Sequence, residues 1–300
     1  MMMTQQLVKR WLAPAKLNLM LRILRRRPDG YHDLQTVFQI LDYGDDMWFV
    51  PSESGEIERD CGEFSKIVGF DEDICVKAVH ALEQATGTKL DVCIGLEKRL
   101  PLGGGIGGGS SNAATTLMAV NYLWKLGLSR TELQEVGLQL GADVPVFIYG
   151  QSVWAEGVGE KFTSIDLPEM TYVVATPNVN VSTRVIFQHK DVFKRLTNPQ
   201  DAIKIRAFQT GRRENDLESV VRKEYPLVEK TFQWLEQFSS NENGTEFSPQ
   251  MSGTGASVFL AVANEQLGQK ILSEAPEFLS CFVARGVQRH PIDDGVWPSG

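Results

Sequence analysis

The stretch Leu100-Pro-Leu-Gly-Gly-Gly-Ile-Gly-Gly-Gly-Ser-Ser-Asn-Ala-Ala-Thr115 constrains this chain more than any other. Six of the seven residues from Gly103 to Gly109 are glycine. Glycine loses more backbone entropy on folding than any other residue, so such a cluster serves a backbone that must approach something closely. The run passes through Ser110-Ser111 into a helix-forming stretch from Asn112 to Lys125. A glycine loop feeding a helix N-terminus combines unsatisfied N–H donors with the positive end of the helix dipole. That is an anion site, and the fitting anion is a phosphate. Gly103-x-Gly105-x-x-Gly108 formally fits the dinucleotide pattern. That fold needs a second strand with an acidic residue soon after the helix, whereas a second helix, Ser129 to Leu140, follows here. A Walker loop would end in Gly-Lys-Ser/Thr, and no lysine follows Gly109. A flexible linker would not be tied to a strand on one side and a helix on the other. The loop reads as a phosphate loop of a third kind.

The 300 residues suffice for one large or two medium domains, and 42% hydrophobic with 23% charged residues is ordinary for a globular protein. The net charge of −8 argues against general nucleic-acid binding. It leaves room for a nucleotide, because basic clusters remain at Arg25-Arg26-Arg27 and Lys98-Arg99. Cys61, Cys75, Cys93 and Cys281 form no C-x-x-C pair and have no histidine at zinc spacing, so neither a metal nor a disulfide framework is expected. No apolar run reaches membrane-spanning length, and residues 1–10 lack a signal-peptide core. A cytoplasmic, enzyme-sized protein is expected, with no membrane and no nucleic-acid partner.

Leu17, Leu19, Leu21 and Ile23 alternate with Asn18, Met20 and Arg22, the period of a half-buried strand with Lys16 and Asn18 sharing the other face. Pro28-Asp-Gly30 is turn chemistry. Further strands are expected at 34–41 and 47–50, separated by a turn at 42–46. Residues 51–65 read as a surface hairpin or loop. A helix over 74–86 and a strand over 91–97 lead into the glycine loop. Ala113, Leu117, Val120 and Trp124 form the core stripe of the helix after it. Ser129-Arg-Thr-Glu132 is a capping box, opening a helix that stops at Gly141. Asp143, two residues before Pro145, reads either as a helix cap or as a chemical carboxylate. Beyond about residue 161 the pattern changes. A strand at 171–176, helices near 182–190, 199–208, 214–223 and 226–239, and a loop at 241–244 are expected. Strands at 257–262 and 280–287 then flank a helix at 265–274, and an irregular tail follows 287. This divides the chain into domains at 1–160 and 161–300.

Three pieces, Pro14-Ala-Lys-Leu-Asn18, the glycine loop and Ser252-Gly-Thr-Gly255, resemble the signature motifs of the galactokinase, homoserine kinase, mevalonate kinase and phosphomevalonate kinase superfamily. Gly30-Tyr-His-Asp-Leu-Gln-Thr36, Leu41-Asp-Tyr-Gly-Asp45, Gly141-Ala-Asp-Val-Pro-Val-Phe147 and Ala155-Glu-Gly-Val-Gly159 narrow the resemblance to the 4-diphosphocytidyl-2-C-methyl-D-erythritol kinase family, over roughly residues 11 to 286. The resemblance implies an α+β, two-domain fold, ribosomal-protein-S5-like at the N-terminus and ferredoxin-like at the C-terminus, with the site in the cleft between. It implies ATP-dependent phosphorylation of the 2-hydroxyl of a cytidine-diphosphate methylerythritol, with Mg²⁺ accompanying ATP and no protein ligand for it identified. Asp143 would be the general base and Lys16 its partner, a division of labour suited to phosphoryl transfer, which is mostly positioning and electrostatics. Pro101, Gly103, Gly104, Gly105, Gly107, Gly108, Gly109, Ser110 and Ser111 would hold the nucleotide phosphates. In the family, residues matching Tyr31 and Phe187 sandwich the cytosine and the one matching His32 hydrogen-bonds it; Asn18 and Thr183 match substrate-side positions. Gly253 to Ala256 would support the phosphate region from the second domain.

Two departures from the family stand near these motifs: Arg184 where proline is frequent, and Asp73-Ile74 in place of Asn-Leu near the adenine site. The competing readings are another kinase of the superfamily, acting on homoserine or mevalonate, and a non-catalytic nucleotide-binding module. The Tyr31-His32 pair argues against the first, since a small acyclic acceptor needs no base stack. Retention of both Lys16 and Asp143 argues against the second.

Overall fold

A computed structural model describes residues 8–60, 62–193, 205, 208, 213–239 and 248–292. The helix expected over 199–208 lies almost wholly outside the described residues, as does the loop at 241–244.

Two long strands form the spine, β1 (Trp11–Arg26) and β2 (His32–Pro51), paired antiparallel along their length. The alternation at 17–23 thus marks the middle of a 16-residue strand. The turn expected at 42–46 is absent: β2 runs straight through it. The polar residues misled the reading because they face other elements rather than solvent. Gly44 is there for closeness, not for turning; a Cβ on it would lie 2.0 Å from the Ala13 carbonyl oxygen. Register shifts between Pro14 and Lys16 and between Asn18 and Met20 break strict alternation. Leu19 and Met20 consequently join the same apolar cluster.

The edge of β2 away from β1 receives three strands in succession. They are β5 (Val153–Gly157) at 34–38, β10 (Leu279–Val287) at 40–41, and β4 (Val92–Glu97) at 46–51. Residues 51–65, expected as a surface hairpin or loop, contribute β3 (Glu58–Asp60), which is parallel to β4. Helices α1 (Ile74–Thr86), α2 (Gly108–Leu123), α3 (Arg130–Leu140) and α4 (Val144–Tyr149) cover this half and bury the first core. The capping box at Ser129 and Glu132 forms as expected.

The sheet continues from β10 into β7 (Thr171–Pro177), β9 (Val258–Val262) and the short β8 (Gln250–Met251). Helices α5 (Thr183–Phe187), α6 (Lys190–Phe193), α7 (Glu218–Glu224), α8 (Pro226–Glu236) and α9 (Glu265–Ser273) belong to this half, which buries a second core. A third cluster joins the halves, Leu17, Leu19 and Val37 meeting Tyr172, Val174, Phe259 and Phe282. The architecture is α+β. Position 160 falls in the turn between β5 and β6 (Lys161–Ser164), and β6 pairs back onto β5. We therefore propose a domain division between Ser164 and Thr171 instead.

The tail is not irregular throughout. Residues 288–292 return to the first half: Ser152 N–H donates to the Gln288 carbonyl (3.0 Å), His290 N–H to that of Gly150 (2.8 Å), and Ile292 joins the first core. His290 is buried, and its Nδ1 accepts from Ile292 N–H at 3.0 Å. Burial, with a smaller contribution from Arg130, lowers its pKa to about 3. The unfolded chain binds a proton at His290 near pH 6.5 that the folded chain refuses, so stability is lost as pH falls from 6.5 toward 3, by about 1.4 kcal/mol per pH unit. Urea unfolding at pH 7 and pH 5 is expected to show a smaller pH-dependent loss in His290→Gln than in the unmodified chain, by about 2 kcal/mol. Equal losses would show that His290 is not held neutral.

Candidate active site

Strand β1 carries Lys16 and Asn18 on its inner face. Lys16 is 2% exposed, an ammonium taken almost wholly out of water. Its Nζ lies 3.1 Å from Asp143 Oδ2 and donates to Asn18 Oδ1 (2.5 Å) and to the Gly105 carbonyl (3.1 Å). The Phe38 ring centroid is 5.3 Å away. Asn18 in turn donates from Nδ2 to Thr36 Oγ1 (2.8 Å), which donates to the Met20 carbonyl (2.6 Å). This chain of bonds fixes the amide orientation.

Asp143 occupies the N-cap position of α4 but makes no side-chain cap bond. Its side chain is 37% exposed and faces Lys16. Of the two readings left open by its spacing, the cap is thereby removed. A carboxylate that is open to a cavity and held by one buried ammonium is equipped to accept a proton from a bound alcohol.

The glycine loop enters α2 four residues earlier than its sequence suggests, so Gly108, Gly109 and Ser110 form the first turn. The N-cap residue, Gly107, is left-handed (φ 76°) and has no side chain with which to cap. The first N–H groups of α2 are left to an external acceptor. The glycines divide by purpose. A Cβ on Gly105 would lie 2.5 Å from the Ser252 carbonyl oxygen, and one on Gly104 would lie 2.6 Å from Ser257 Oγ. Both serve contact with the second glycine motif. A Cβ on Gly107 would meet Phe147 at 2.8 Å and Lys16 Cγ at 3.0 Å. At Gly109 it would meet nothing within 4 Å.

Two cavities flank this loop. The first, about 400 Å³, is lined by Pro101, Gly103, Gly104, Gly105, Gly107, Gly108, Gly109 and Ser110, and closed by Phe64, Val68, Asp73, Ile74 and Asn112. Ser111, expected among the phosphate ligands, does not line it; on the helix it turns inward and is fully buried. The second cavity, about 740 Å³, gathers Lys16, Asn18, Tyr31, His32, Asp143, Thr183 and Phe187 from four segments. Gly105 and Ser110 line both cavities. The expected Tyr31–Phe187 clamp is not assembled. Phe187 stacks instead on His32, with centroids 5.3 Å apart, and Tyr31 stands at the rim, 62% exposed. Burial, and secondarily Arg26, lower the His32 pKa, so this ring is neutral at pH 7. Thr183 Oγ1 lies 3.0 Å from Thr254 Oγ1, tying α5 to the second glycine motif.

Two positioning residues and one cavity-lining residue escaped the sequence reading. Asp45, fully buried, accepts from Lys98 Nζ, Arg99 N–H and Leu100 N–H, each at 2.7 Å, and anchors the start of the glycine loop to β2. Asn215 Nδ2 donates to the Met251 (2.9 Å) and Gly253 (2.8 Å) carbonyls, holding the second glycine motif. Asn112 lines the first cavity with a buried Oδ1 that has no hydrogen-bond partner among the described residues. Asp45 stood within the Leu41–Asp45 motif, but only tertiary contacts reveal what it holds.

These geometric features can be set beside known proteins. Residues 73–151 match the family described as GHMP kinases N terminal domain. The 4-diphosphocytidyl-2-C-methyl-D-erythritol kinase of Azoarcus sp. (strain BH72) is 45% identical over 282 residues, covering 93% of this chain and 94% of that protein. The chain belongs to that kinase family. The same-named enzyme of Pseudomonas syringae pv. syringae (strain B728a) is 47% identical, with 91% and 92% covered. A crystal structure of 4-(cytidine 5'-diphospho)-2C-methyl-D-erythritol kinase superposes with a TM-score of 0.76 at 28% identity, covering 93% of this chain and 100% of that one. Methanococcus jannaschii mevalonate kinase, at 16% identity and a TM-score of 0.67, shares the fold, with 95% of this chain and 100% of that one covered.

The open space at Gly109 generates a test. Gly109→Ala is expected to leave thermal stability unchanged or up to about 1 kcal/mol higher, since alanine is the better helix former. It is expected to raise KM for the nucleotide by about tenfold by displacing the phosphate from the helix N-terminus. Calorimetry and steady-state kinetics on one preparation check both, and an unchanged nucleotide KM would remove the loop from phosphate binding.

Proposed function

We propose that this chain transfers the γ-phosphate of ATP to the 2-hydroxyl of 4-(cytidine 5'-diphospho)-2-C-methyl-D-erythritol, in non-mevalonate isoprenoid precursor synthesis. The observation that carries the reading is the meeting of the two cavities at Gly105 and Ser110, beside the Lys16–Asp143 pair. A donor phosphate on the α2 N-terminus and an acceptor alcohol against Asp143 would face each other there. The Asp143 carboxylate takes the acceptor proton, the alkoxide oxygen bonds to the γ-phosphorus, and the bond to the β,γ-bridging oxygen breaks to release ADP. Lys16 aims the Asp143 carboxylate, and fixes the loop through the Gly105 carbonyl. Asn18 and Thr183 position the polyol, while His32, Phe187 and Tyr31 supply aromatic surface and polar edges for cytosine.

Mg²⁺ is part of this proposal. Among the described residues no three acidic, histidine or cysteine side chains cluster as a metal site. This suits an ion bound chiefly by nucleotide phosphates and water, with the Ser110 hydroxyl as the protein group at hand. When bound, it neutralises phosphate charge. No helix among the described residues is long and apolar enough to cross a membrane. The net charge of −8 supports small-molecule rather than nucleic-acid partners, and the proposed setting is the cytoplasm.

Asp143→Asn is expected to keep the fold and lower kcat roughly a hundredfold or more. Lys16→Met should do comparable harm, and the double variant should be strongly non-additive because the two act as a unit. Coupled ADP-release kinetics measure all three; near-normal kcat in Asp143→Asn would refute the mechanism. Phe187→Ala is expected to raise KM for the cytidine substrate about five- to a hundredfold and leave KM for ATP nearly unchanged, on the scale of base–aromatic stacking. Methylerythritol 4-phosphate should be a very poor acceptor. Efficient phosphorylation of it would show that the base is not read.

A further inference from the structure

The acceptor cavity contains a cation that proton transfer and base recognition leave unused. Among the charged side chains lining it, Lys16 pairs with Asp143, and Asp29 pairs with Arg27 at 2.8 Å. Arg184 also lines the cavity, and it has no ion-pair partner among the described residues. Its place along α5 is informative. Thr183, which opens the helix, is bonded to Thr254 at the reacting end. The neighbouring Gly253 lies where a Cβ would be 3.8 Å from Lys16 Nζ. Phe187, which closes the helix, stacks on His32 at the base end. At 1.5 Å rise per residue the two ends are about 6 Å apart along the axis. Arg184 stands between them, three residues from Phe187, so the two side chains are neighbours on the helix surface. Arg26, the register partner of His32, lines the same cavity.

The proposed acceptor has the same order: base, two anionic phosphates, alcohol. We propose that Arg184 binds the diphosphate bridge of this nucleoside-diphosphate-linked acceptor, with Arg26 in the same cavity, and so makes the diphosphate a specificity element beside the base. The proposal rests on the acceptor named above. A guanidinium suits the role because it presents forked donors to phosphate oxygens. The Lys16–Asp143 pair is internally compensated and offers no net charge to the bridge. Arg184 is solvent-exposed, so its attraction for phosphate is screened by salt.

The test is calorimetric titration of the full chain with cytidine and with CDP, the nucleotide cavity being saturated with a non-hydrolysable ATP analogue. Arg184→Gln is expected to weaken CDP about tenfold while changing cytidine less than about twofold. Arg184→Lys should recover part of the loss, and added salt should narrow the gap between variant and unmodified chain. Equal CDP affinity in Arg184→Gln and the unmodified chain would overturn the proposal, as would a parallel loss for cytidine, which would mean that Arg184 only shapes the base pocket. If the unmodified chain binds neither cytidine nor CDP, the acceptor reading itself fails, and the proposal with it.

Discussion

A buried ammonium at Lys16 imposes more order on this molecule than any other group. Removing an ammonium from water costs several kcal/mol unless partners replace the water. Lys16 finds them on its own strand at Asn18, in the glycine loop at the Gly105 carbonyl, and before α4 at Asp143. Each partner belongs to a different segment, so satisfying one charge fixes the relative positions of three. The backbone adds to this, with Lys16 N–H donating to the Ile106 carbonyl at 2.9 Å. The proposed reacting pair is thus also a structural joint, and the carboxylate is left partly open to the cavity.

The second half of the chain is tied to the same joint. Ser252 Oγ accepts from Asn18 N–H at 3.1 Å and donates to the Gly105 carbonyl at 3.0 Å, while Ser257 N–H donates to the Gly104 carbonyl at 3.0 Å. Asn215 holds the motif from behind, and its neighbour Asp216 accepts from the Ile23 N–H of β1 at 2.8 Å. Glycine at 104 and 105 permits two backbones to lie against each other where any side chain would separate them. Glycine at 109 leaves space that the protein does not itself fill. One run of identical residues thus performs two tasks.

Much of the site was legible in the sequence because its elements are local. The glycine loop before a helix, the shared face of Lys16 and Asn18, and the capping box at Ser129 need only chain geometry to be seen, and motif order extended them to Asp143, His32 and Phe187, which line one cavity. Other readings failed where a local signal had a distant cause. Asp42-Tyr-Gly-Asp45 has turn composition, but Gly44 is pressed on β1 and Asp45 grips the loop at 98–100. Ser111 adjoins the loop in sequence, yet helical rotation sends it into the interior.

The sequence by itself determined the glycine loop that opens α2 and the strand that presents Lys16, which depend on residue order and on backbone periods of two and 3.6, and, through the order of its motifs, the family. Only the tertiary structure decided that the Asp143 side chain makes no cap bond, that His32 rather than Tyr31 lies on Phe187, and that Arg184 and Arg26 line one cavity with Lys16 and Asp143. It also decided that the tail returns to bury His290 and Ile292. The physical reason is the same in each case. Burial, stacking and charge pairing are set by which segments meet across the sheet, and spacing along the chain carries no record of that meeting.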